Sequence, residues 1–191
     1  MTKKLVGSPD RPALLPPPSG TVATAVVAHL PAGVQPYLRL MRLHGPIGTW
    51  LFVLPGWWAL SLAAGGLPDL GQFVLFGLGA LLMRGAACAV NDIVDREFDA
   101  QVARTASRPV ASGAVSVGDA WAFAVVQAGV SLALFWWAGD RAALVVAGCL
   151  PTYLVYPFMK RLIPVPQAWL GLCFNTPVSY THLTLPTNRE V

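Results

Sequence analysis

The chain has 191 residues, of which 55% are apolar and 12% charged, with a net charge of +4. Soluble domains carry about 25% charged residues, so the composition is that of an integral membrane protein. The basic residues are spread between apolar spans, which fits membrane topology and excludes nucleic acid as the partner they serve. Three cysteines, all in apolar stretches, give no paired spacing for a disulfide framework or a zinc site.

In chain order, residues 1–35 read as a flexible leader rich in Pro, Gly, Ser, Ala and Val, including Pro16-Pro17-Pro18. No secretory signal is evident in it. A short amphipathic helix is expected at Tyr37–Leu43. Apolar spans follow at about 44–64, 70–91, 118–138 and 142–159, with a fifth from Pro166 to about Phe174; the full spans are long enough for a bilayer core of roughly 30 Å. Residues 36–177 form the expected membrane domain. After Asn175-Thr176-Pro177 the apolar pattern stops, and 178–191 is expected to be an unrelated or disordered tail on a truncated chain.

Lysine and arginine set the expected orientation. The leader with Arg39 and Arg42, the loop with Arg96, Arg104 and Arg108, and the pair Lys160-Arg161 all fall on one side of the spans; the opposite loops hold Arg141. The positive-inside rule places that side, with the N-terminus, in the cytoplasm.

The second span runs into Asn91-Asp92-Ile93-Val94-Asp95-Arg96-Glu97-Phe98-Asp99, a dense group of acids in a chain that has nine in all. Acids held this close at a membrane boundary call for a cation between them. Asn91, Asp95 and Asp99 are spaced i, i+4, i+8 and share a helix face, with Asp92 at its border. Oxygen-only ligands on such a stripe suit a hard divalent cation such as Mg²⁺, which also recruits substrate phosphates. The loop Arg104-Thr105-Ala106-Ser107-Arg108-Pro109 lies on the same side, and arginine forks bind phosphate oxygens. Lys160 or Arg161, after Tyr156-Pro157, could hold a diphosphate or a carboxylate, and Arg42 sits at the mouth of the first span. Taken alone, the basic loop reads better as a positive-inside flank; beside the acidic stripe the two readings are even.

Asn91-Asp92-x-x-Asp95-x-x-x-Asp99 followed by Arg104-Thr105-x-x-Arg108-Pro109 resembles the first aspartate-rich signature of the UbiA-type intramembrane prenyltransferases. Arg42-Leu43-x-x-Pro46-Ile47-Gly48 resembles the family's first helix, though His44 stands where the family usually has an acid. Tyr156-Pro157-x-x-Lys160-Arg161 with Pro166-Gln167 is similar to its 4-hydroxybenzoate polyprenyltransferase branch. The resemblance covers about residues 36–176. It implies an all-α integral membrane bundle of nine transmembrane helices, of which about five are present here.

The resemblance also implies Mg²⁺-dependent transfer of a polyprenyl group from polyprenyl diphosphate to 4-hydroxybenzoate, a step of ubiquinone synthesis, in a bacterial or mitochondrial inner membrane. The family has a second aspartate-rich motif, expected beyond residue 177, so this fragment is itself expected to be inactive. The site residues implied are Asn91, Asp92, Asp95 and Asp99 for metal, the three aspartates being catalytic. Arg104, Arg108 and Lys160 are implied for diphosphate, and Arg42 and Arg161 for the aromatic carboxylate. The rivals are a haem, naphthoate or chlorophyll prenyltransferase of the same family, and a cation or proton transporter. A transporter should hold its acids near the bilayer midplane.

Overall fold

The computed structural model describes residues 22–45, 47–138 and 140–162, with 165, 168, 169 and 171 beyond them. The expected tail at 178–191 and most of the fifth span lie outside the described residues, as do the side chains of Lys160 and Arg161. Among the described residues the structure is all-helical: α1 Val22–Ala28, α2 Gln35–Leu40, α3 Ile47–Ala63, α4 Leu70–Asp99, α5 Val117–Ala138 and α6 Asp140–Leu162.

Each helix has a local cause. The Asp69 carboxylate accepts from Gln72 N at 3.1 Å and caps α4. Ser116 Oγ accepts from Asp119 N at 3.0 Å and donates to Asp119 Oδ2 at 2.8 Å, a reciprocal cap that starts α5. Pro55 sits inside α3, a placement that membrane-type helices accommodate. The turn from α3 to α4 passes through Gly65 at φ 65°, a conformation that glycine adopts without steric cost.

Helix α4 is the hub, packing on α2, α3, α5 and α6. It has 30 residues, about 45 Å at 1.5 Å per residue. That is longer than the span of about 70–91 expected from hydropathy, because the acidic motif continues the same helix instead of ending it. Helix α1 lies within the stretch expected to be a flexible leader: Val27 is buried, and Thr24 Oγ1 donates to His44 O at 3.4 Å. Among the described residues α4 and α5 are long and apolar enough to cross a membrane.

Two apolar clusters lie along α4. The first joins Phe52, Val53 and Leu60 of α3 to Phe76, Ala80 and Met83 of α4, Phe135 of α5 and Val146 of α6. The second gathers Leu40, Ala89, Val90, Ile93, Val110, Val115, Ala120 and Ala124 around the C-terminal half of α4. Outward faces stay apolar: Trp58, Leu62, Val125 and Trp137 are all more than half exposed. A surface this apolar suits hydrocarbon better than water.

Candidate metal and diphosphate site

The acidic motif occupies the last two turns of α4. Asp92, Asp95 and Asp99 are all buried and Asn91 is half-buried. The inward stripe is therefore 92–95–99, with Asn91 at its edge, rather than the 91–95–99 face expected from the i, i+4, i+8 spacing. Positions seven apart differ by only about 20° around a helix, so Asp92 and Asp99 point the same way.

Two arginines close on this stripe. Arg108 Nη1 lies 2.5 Å from Asp99 Oδ2 and 3.4 Å from Asp92 Oδ1, bridging two turns of α4. Arg42 Nη2 lies 2.7 Å from Asp92 Oδ1. The loop after α4 is folded to deliver Arg108. Val110 and Val115 bury themselves in the second apolar cluster. Thr105 Oγ1 donates to Asp99 O at 3.1 Å, and Val115 N donates to Pro109 O at 3.0 Å.

Arg42 arrives by an unusual backbone route. It has φ 63°, a left-handed conformation that costs a non-glycine residue roughly 1–2 kcal/mol. Burial alone would lower its pKa, but the Asp92 carboxylate more than offsets this and holds it above the ordinary value. His44, two residues on, is pushed below its usual range by burial and then by Arg42, Arg39 and Arg84.

Arg84 was overlooked in the sequence, where it lies within the apolar span expected at 70–91. Its Nη1 donates to Thr49 Oγ1 at 3.0 Å and to Met41 O at 3.3 Å. It therefore ties α3 and the turn before Arg42 onto α4. Gly48 leaves room for its guanidinium: a Cβ there would stand 2.5 Å from Arg84 Nη2. The available signal was the ionisable residue itself, because arginine inside a long apolar segment is rare without a function. Gln127 of α5 completes the clamp, with Nε2 3.6 Å from Met41 Sδ. Its Oε1 is buried without a hydrogen-bond partner, packed where a Cβ on Gly85 would come within 2.4 Å.

The remaining candidates fall as follows. Arg104 is exposed on the loop. Trp57 stacks on Phe73, with ring centroids 4.1 Å apart, and donates to Phe73 O at 3.0 Å. Phe123 packs on Tyr37 at 5.2 Å. Both rings make packing contacts between helices.

A hard cation is compatible with the donors of this site. They are oxygens, and Asp92 Oδ2 is buried with no hydrogen-bond partner, a lone pair left for a ligand. Among the described residues, however, no three His, Cys, Asp or Glu side chains are gathered closely enough to hold a metal ion. Asp92 and Asp99 are drawn onto arginines instead.

Among the described residues the chain is all-helical, with acids and arginines interleaved at the end of a long apolar helix. The UbiA prenyltransferase family model matches residues 52–182, and the chain belongs to that family. It is 46% identical over 160 residues to 4-hydroxybenzoate polyprenyltransferase, mitochondrial, of Bos taurus, covering 83% of this chain and 43% of that protein. It is 44% identical over 146 residues to 4-hydroxybenzoate octaprenyltransferase of Aeromonas salmonicida (strain A449), covering 75% and 50%. Among solved structures it resembles the apo structure of a UbiA homolog from Aeropyrum pernix K1, with TM-score 0.64, 29% identity, and coverage of 75% of this chain and 52% of that one. The chain thus spans about half the length of the curated relatives it matches.

Proposed function

We propose that this chain serves Mg²⁺-dependent transfer of a polyprenyl group from polyprenyl diphosphate to the ring of 4-hydroxybenzoate, within a multi-helix transmembrane bundle. The observation that carries the reading is the alternation Arg42–Asp92–Arg108–Asp99 at one end of α4. Acids that hold a divalent cation and arginines that hold phosphate oxygens are the two halves of a diphosphate site. The similarity to proteins named 4-hydroxybenzoate polyprenyltransferase supports the acceptor. The bundle reading rests on the length and apolar composition of α4 and α5. The cationic leader, loop and Lys160-Arg161 support a cytoplasmic, or matrix-side, position for the site.

In this reading Asn91, Asp92, Asp95 and Asp99 hold Mg²⁺, which supplies charge neutralisation on the departing pyrophosphate. Arg108, Arg104 and Lys160 bind the diphosphate oxygens and stabilise negative charge as the carbon–oxygen bond breaks. Arg42 and Arg161 orient the acceptor carboxylate. Arg39 and Arg84 extend the positive surface around His44 that an aromatic acid would meet. The second apolar cluster, packed beside the acids, supports a low-water setting for the allylic carbon. The acids sit at a helix end beside arginines, a placement that favours phosphate over a proton path at the bilayer midplane.

The test is transfer of label from a radiolabelled prenyl diphosphate in membranes holding the full-length protein, supplied in turn with 4-hydroxybenzoate, a naphthoate acceptor, haem or chlorophyllide. Product with 4-hydroxybenzoate, dependent on Mg²⁺, is expected. Product with another acceptor alone refutes the assignment.

A further inference from the structure

Two of the three aspartates of the site, Asp92 and Asp99, are already paired with arginines. Arg108 contacts both Asp92 and Asp99, and Arg42 contacts Asp92. The Asp92 side chain is fully buried, those of Arg42 and Arg108 are mostly buried, and charges in such surroundings interact more strongly than they do in water. A bare divalent cation entering here must take Asp92 and Asp99 from Arg108. It would leave that guanidinium mostly buried, unpaired and beside a second positive charge. A metal–diphosphate complex brings more negative than positive charge, and gives Arg108 phosphate oxygens in exchange for the carboxylates it gives up.

We propose that Arg108 makes this site selective for a metal–diphosphate complex over a bare divalent cation. It does so by serving as the counter-ion of Asp92 and Asp99 until a phosphate replaces them. The inference rests on the metal–diphosphate reading above and adds a partner exchange to it. Two further observations support it. No group of three acids stands ready for a metal among the described residues, as expected where an arginine holds two of them. Asp92 Oδ2 is nonetheless buried and without a partner, so one ligand position is kept for the arriving metal. The loop that carries Arg108 is anchored by Val110 and Val115 on the apolar cluster. The side chain can therefore change partners while its backbone stays in place.

The experiment uses the full-length protein in lipid nanodiscs and reads Mn²⁺ binding by electron paramagnetic resonance, with and without a non-reactive prenyl thiolodiphosphate. In the unaltered protein the analogue should tighten Mn²⁺ binding by tenfold or more, on the order of 1.4 kcal/mol of coupling. Absence of that coupling, with both ligands bound, overturns the proposal without need of any variant. In Arg108→Gln, bare Mn²⁺ should bind about tenfold tighter than in the unaltered protein and the coupling should fall toward unity. Arg96→Gln removes the same charge near the same helix end and should leave the affinity for bare Mn²⁺ within about twofold, because Arg96 is exposed and pairs with Glu97. Equal tightening in both variants, or none in Arg108→Gln, contradicts the exchange. A purely structural role for Arg108 predicts weaker binding of both ligands in Arg108→Gln. No Mn²⁺ binding in the unaltered protein, even with the analogue, refutes the metal–diphosphate reading itself.

Discussion

The two halves of α4 are held in place by different physics. From Leu70 to Met83 the helix packs through apolar side chains, with Phe76, Ala80 and Met83 against Phe52, Val53, Leu60 and Phe135. From Arg84 to Asp99 it also packs through charges: Arg84 on Met41 and Thr49, Asp92 on Arg42, Asp99 on Arg108. Apolar packing is non-directional and tolerates exchange of similar side chains. Buried charges do not, because removing one partner strands the other in a medium that solvates it poorly. The first half is therefore apolar scaffold, and the second is the half to which the proposed function assigns the ligand.

That contrast can be broken most decisively at Asp95. Asp95→Ala in the full-length protein should lower prenyl transfer by roughly 10²-fold or more, read as labelled product in membranes. A comparable loss from Met83→Leu in the other half would erase the distinction. At Arg42 two effects separate. Arg42→Ala should destabilise the protein by about 2 kcal/mol, since it removes a charged hydrogen bond from the buried Asp92. Arg42→Gly should cost about 1 kcal/mol less, because glycine relieves the left-handed backbone at φ 63°. Thermal unfolding in detergent gives the order, and a glycine variant less stable than the alanine variant would mean that the backbone carries no strain.

Gly85→Ala probes the clamp between the halves. The added Cβ would meet Gln127 Oε1 at 2.4 Å, and overpacking of this kind costs typically 1–3 kcal/mol. Gln127→Leu alone should change stability by less than about 1 kcal/mol, because it removes a carbonyl that already lacks a partner. In Gly85→Ala/Gln127→Ala the clash with Gln127 disappears and the contact with Met41 Cβ at 3.0 Å remains, so the double variant should be more stable than the Gly85→Ala and Gln127→Ala singles together imply. The smallest effect is expected on the outer face: Trp58→Ala should move the unfolding midpoint little, since Trp58 is 70% exposed.

Much of this division was legible in the sequence. The apolar spans gave the helices from α3 to α6, and the acids of Asn91–Asp99 pointed to the proposed site. Boundaries moved where the motif was also good helix: α4 runs to Asp99 because nothing between Asn91 and Asp99 breaks it. The inward face shifted from 91–95–99 to 92–95–99 because burial is decided by where Arg42 and Arg108 arrive, which spacing along one helix cannot state. The left-handed Arg42 had no sequence signal, as glycine at that position would have had. Arg84 did have one, and it was outweighed by the apolar residues around it. The family match itself runs to residue 182, past the expected end of the membrane domain at 177.

The account turns on whether the charged end of α4 receives a metal-bound diphosphate. The direct measurement is the affinity of the full-length protein for a non-reactive prenyl thiolodiphosphate, with and without Mg²⁺, in the unaltered chain and in Asp92→Asn. Binding that requires Mg²⁺ and is lost in Asp92→Asn is the predicted result. Binding of equal strength without Mg²⁺, or unchanged in Asp92→Asn, would contradict it.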